Sequence, residues 1–115
     1  MFDFEKLEVH KKSKSFHKQI QQFLKQNDVD PTTRNQLRRA SLSIVLNIAE
    51  GSGRNSRADK RHFFIISRGS VFECVAVLDL MQDDDLISEI LFKDLYSKAE
   101  DLSKMLFAMI RTLEQ

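Results

Sequence analysis

One cysteine, one proline, three glycines, one tyrosine and no tryptophan in 115 residues close off several architectures at once. A lone Cys74 excludes an internal disulfide and any paired-cysteine zinc spacing, and its place between Glu73 and Val75 marks it as a small buried hydrophobe. So little proline and glycine leaves no composition for a linker, so a single domain over residues 1–115 is expected. Period-2 alternation and hairpin dipeptides are missing, which argues against a sheet. No apolar run approaches the roughly 18 residues that a membrane span requires. The start, Met1-Phe2-Asp3-Phe4-Glu5, has no basic leader before an apolar stretch, so a cytoplasmic protein without membrane association is expected.

Charge is abundant but unevenly placed. Residues 1–70 carry fourteen Lys and Arg against seven Asp and Glu, whereas residues 71–115 carry four against ten. The net charge of +1 therefore hides a dipolar chain, a pattern suited to a basic face or to head-to-tail self-association.

Four amphipathic segments account for the rest. Val9, Ser13, Phe16, Ile20 and Phe23 recur at steps of four and three, with lysines between them, and predict a first helix over about residues 4–26. Asp30 and Pro31 supply an N-cap and a first-turn proline for a second helix ending near Gly51, where Gly51-Ser52-Gly53 predicts a left-handed C-cap. Ser56 with Asp59 three residues on starts a third helix reaching about Met81. Asp85 or Ser88 caps a fourth helix bearing Leu91, Leu95, Leu102, Met105, Met109 and Leu113. Short connections between long helices predict an all-α, antiparallel, up-and-down four-helix bundle.

The second and third helices are apolar on more than one side. In the third, Phe63, Ile66, Ser70, Glu73, Val77 and Leu80 follow the seam pattern, yet Phe64, Val71, Val75 and Leu78 form another stripe and Ile65, Phe72 and Ala76 a third. An oligomer can bury two sides of such a helix, so self-association is expected. A polar line of Arg39, Ser43, Asn47, Glu50 and Arg54 on the second helix faces the seam residues Ser70 and Glu73 of the third. Buried carboxylates need donors, so Arg39, Asn47, Glu50, Arg68, Ser70 and Glu73 are expected to meet in a structural network. Glu50 and Glu73 could pair as acid and base, but no nucleophile or metal set accompanies them, and no catalytic role is assigned.

Other constellations are weaker. His10 and His17 lie two helical turns apart, too far to share a metal without further ligands, and His62 stands alone. Asp83-Asp84-Asp85 lacks the glycine and distal glutamate of a calcium loop, and Gly51-Ser52-Gly53-Arg54 follows a helix and lacks the Lys-Ser/Thr of a phosphate cradle. No metal or cofactor is expected. Arg54, Arg57, Lys60 and Arg61 surround the turn into the third helix, with Asp59 the only acid among them, and mark a candidate nucleic-acid-binding cluster.

The segment from Leu37 to Arg54, with Asn47-Ile48-Ala49-Glu50-Gly51 at its centre, resembles the signature of the 23S rRNA intervening-sequence protein family of bacterial four-helix-bundle proteins. Arg68-Gly69-Ser70-x-x-Glu73 is similar to that family's second motif, and Leu7-x-Val9 and Lys104-Met105-Leu106 extend the resemblance over nearly the whole chain. It implies a bundle assembled into a homopentameric ring, with Arg39, Asn47, Glu50, Gly51, Arg54, Ser70 and Glu73 as the characteristic residues. It also implies kinship with accessory proteins of retroelements that bind a reverse transcriptase and nucleic acid. The expected function is that of a non-enzymatic, homo-oligomeric accessory protein binding RNA or DNA through the basic cluster; the alternative is a protein scaffold with no nucleic-acid role.

Overall fold

Leu7 has an extended backbone and separates a short 3-10 turn, Asp3–Lys6, from the first long helix, α1, Glu8–Gln26. The helix therefore starts one turn later than its periodicity predicts, with Phe2 stacked on Phe4 ahead of it and the Phe4 ring tilted against His10 in its first turn. Three more helices follow in the computed structural model, which describes residues 1–114: α2, Pro31–Ser52; α3, Arg57–Asp83; and α4, Glu89–Leu113. Each start has a local cause. Asp30, Ser56 and Ser88 accept hydrogen bonds from the backbone N–H groups of Thr33, Asp59 and Leu91, each three residues on.

The helices form an up-and-down bundle of about 43 × 26 × 22 Å. α2 packs most extensively on α3, then α3 on α4 and α1 on α2, while a sparser contact between α1 and α4 closes the ring of neighbours. The core is built from Phe16, Ile20, Leu37, Ile44, Ile48, Leu78, Leu95, Leu102 and Leu106, all fully buried. Among the described residues no helix is long and apolar enough to cross a membrane.

Two expectations need correction. The seam of α3 is Phe64, Ser67, Val71, Cys74, Leu78 and Met81, one residue out of phase with the stripe from Phe63 to Leu80. Spacing fixes a stripe but not which of several apolar stripes turns inward. The small Ser67 and Cys74 let α2 approach, and the Ser67 hydroxyl is satisfied there by donating to the Ile44 carbonyl at 2.8 Å. The second correction concerns Gly51 and Gly53. Gly53 caps α2 with φ −87°, no glycine among the described residues has positive φ, and Gly51 lies buried inside the helix. The left-handed residue is Asp85, φ 58°, just past α3, where its N–H donates to the Gln82 carbonyl and that of Leu86 to the Met81 carbonyl, a Schellman closure.

Candidate nucleic-acid interface

The C-terminus of α2 and the N-terminus of α3 meet at one end of the bundle, and up-and-down topology brings the C-terminus of α4 to the same end. Two of these termini expose carbonyls and the negative pole of a helix dipole, so cations are favoured beside them. Lys60 Nζ donates to the Ser52 carbonyl of α2 at 2.9 Å, and Arg57 Nη2 donates to the Thr112 carbonyl of α4 at 2.7 Å. Arg54 pairs with Glu50 one turn back and lies over the Phe63 ring, 4.6 Å from its centroid. Arg61 Nε is 3.5 Å from Glu114 Oε1 and shielded from water without a hydrogen bond, while Arg111 approaches the same carboxylate from the other side.

The four sequence-predicted cations are thus brought together, each with a partner inside the chain. Arg111, a residue missed in the sequence because it lies fifty residues away, joins them. Five cations converge with Glu50, Asp59 and Glu114 as their acidic neighbours, leaving positive charge in excess. The Arg54 and Arg61 side chains are 43% and 41% exposed, so neither is sealed from water by its partner.

The six-residue polar network does not form as expected within one chain. What forms is smaller: the Ser43 and Ser70 hydroxyls hydrogen-bond at 2.8 Å, and Asn47 Nδ2 donates to the Ser43 carbonyl and hydroxyl at 2.9 and 3.0 Å. Arg39, Glu50 and Glu73 stay exposed, so water solvates their charges and no desolvation cost draws them together. Arg68 turns to the other flank of α3, where it donates from Nε to the Ser103 carbonyl at 3.3 Å and lies between the rings of Phe72 and Phe107. The i, i+4 spacing of Arg68 and Phe72 was a legible signal for that pairing.

His10 and His17 have structural surroundings, whereas His62 is exposed. His17 Nδ1 shares a hydrogen bond with Ser41 Oγ at 2.7 Å, and burial, then the Arg38 charge, holds its pKa below the ordinary value. Burial, then Lys14, lowers that of His10.

Comparison with known proteins adds three findings. The model of the family described as 23S rRNA-intervening sequence protein matches residues 5–108. A solved structure from Bacteroides thetaiotaomicron, described as a protein with unknown function from the S23 ribosomal protein family, superimposes with a TM-score of 0.84 at 25% identity, covering 89% of this chain and 97% of that one. No curated protein matches the chain.

Proposed function

The chain belongs to the 23S rRNA-intervening sequence protein family, and from that premise we propose that it is a non-enzymatic accessory protein, self-associating into a homopentameric ring, that binds the phosphates of RNA or DNA. The observation that carries this reading is the convergence of Arg54, Arg57, Lys60, Arg61 and Arg111 at one end of the bundle, beside the N-terminus of α3. Helix capping alone needs one cation per terminus. Here the Arg54 and Arg61 side chains stay partly exposed, each with more donors than its one carboxylate partner uses, and a phosphate could accept from the remainder. Contacts of this kind position a backbone without reading its sequence. A chain near neutrality has few such contacts, so each copy binds weakly and an oligomer gathers several patches into one surface.

A second reading, a protein scaffold without nucleic acid, draws on the exposed apolar side chains of α2 and α3. Light scattering coupled to size exclusion, with and without a mixed RNA and DNA pool at low and moderate salt, separates the two. Nucleic-acid uptake that falls steeply with salt, and with Arg57→Glu plus Arg61→Glu, is expected. An assembly that ignores nucleic acid at low salt would leave the scaffold standing instead.

A further inference from the structure

α2 and α3 each leave an apolar strip uncovered. On α3, Phe72, Ala76 and Leu80 follow one another at steps of four on the side away from the Val71–Cys74–Leu78 seam, with Phe72 56% and Leu80 63% exposed. On α2, Leu42 and Leu46 are 37% and 56% exposed, opposite the buried line of Leu37, Ile44 and Ile48.

The unpaired charges beside the two strips have opposite sign: Arg68, which lies over the Phe72 ring, is held by the Ser103 carbonyl and the Phe107 ring, and Glu50, one turn beyond Leu46, is paired with Arg54. Along α3, Glu73, Asp79 and Asp83 accompany the strip, and no Lys or Arg occurs from Gly69 to Phe92. From Pro31 to Ala49 α2 holds Arg34, Arg38 and Arg39 and no carboxylate. Arg34 is turned away, donating to the Asn27 carbonyl beyond the end of α1 at 3.0 Å. Arg38, Arg39, Glu73, Asp79 and Asp83 are all exposed, and none has an ion-pair partner among the described residues. Both strips face outward on neighbouring helices of one bundle, so they cannot cover each other within a chain. Contact of the acidic half of α3 with its own copy would set like charge against like.

We infer that the acidic apolar strip of α3, Phe72–Ala76–Leu80, docks on the basic apolar strip of α2, Leu42–Leu46, of a second copy of this chain. The occupant is a second copy because one chain carries both complementary halves. The contact is head to tail: each subunit uses one strip and offers the other, so the assembly grows until rotation closes it into a ring. Apolar side chains at the centre with opposite charges at the rim match the anatomy of protein interfaces. The inference rests on the self-association proposed above and assigns it a surface.

Two blocked variants test it: Arg38→Glu with Arg39→Glu, and Phe72→Glu with Leu80→Glu. All four positions are exposed, and circular dichroism and melting check that each variant folds. Light scattering should show an assembly larger than a dimer for the unaltered chain, a monomer for each variant alone, and a dimer holding one copy of each when the two are mixed. The milder single changes Leu46→Ser and Leu80→Ser should each raise the dissociation constant at least tenfold. Retention of the original mass by either blocked variant, or a mixture that stays monomeric, overturns the assigned surface while leaving self-association intact. A monomeric unaltered chain overturns both.

Discussion

The ring of Phe64 fills the space that a β-carbon on Gly51 would occupy, with Cε1 2.8 Å and Cδ1 3.0 Å from that position and the Phe63 β-carbon 3.1 Å from it. At Gly51, therefore, α2 and α3 pack too closely for a side chain to enter without a shift. Alanine gains about 1 kcal/mol of helix propensity there, but overpacking costs about 1–3 kcal/mol. Gly51→Ala should lower stability in urea denaturation by about 1 kcal/mol, and trimming the ring with Phe64→Leu should reduce that added penalty. A stabilised Gly51→Ala variant would show that the helices can separate at no cost.

Asp85 holds a left-handed backbone, φ 58°, at the end of α3. An L-residue is disfavoured there by about 1–2 kcal/mol, less for aspartate than for most, while glycine is not. Asp85→Gly should raise the denaturation midpoint by the equivalent of about 0.5–1 kcal/mol, whereas Asp85→Val should lower it. Equal midpoints for the two would refute this account of the α3 terminus.

Burial, reinforced by the neighbouring Glu73 charge, pushes the Cys74 thiol up to about 12. The folded protein should react with thiol reagents at pH 8 only as fast as it unfolds, and mild urea should accelerate labelling. The raised value also fixes a sign. Stability from keeping this thiol neutral is complete below the ordinary thiol range, near 8.5, and is lost as pH rises from there towards about 12. Comparison with Cys74→Ala should show a shallower alkaline decline in the variant; parallel declines would contradict the shift.

Lys60 closes the end of α2 through the Ser52 carbonyl, so its charge has a folding role whether or not nucleic acid binds. Lys60→Met should cost about 0.3–1 kcal/mol at low ionic strength and less in high salt. If nucleic acid does bind there, the same change should flatten the logarithmic salt dependence of affinity by about one unit. Thermal melts across a salt series check the first effect and binding isotherms the second.

Helix starts were legible because their causes are local: Asp30, Ser56 and Ser88 each bond an N–H three residues on, within a single turn. The Arg54 pairing with Glu50 carries the same local signal, an i, i+4 pair on one face, and it replaces the partners Arg39, Asn47 and Arg68 expected for Glu50. The phase of α3 was not. Its apolar stripes are nearly equivalent in sequence, and the choice of Phe64, Val71 and Leu78 over Phe63, Val77 and Leu80 depends on what α2 offers opposite them.

The amino-acid sequence by itself determined four helices, their order and their antiparallel succession, because periodicity, caps and short connections act over a few residues. Only the tertiary structure decided that Gly51 yields its space to Phe64, that Glu73 remains in water, and that Arg57 bonds the Thr112 carbonyl, fifty-five residues later, in the last turn of α4. Those outcomes turn on which surfaces lose water when the helices pack, and burial of that kind is settled between distant segments.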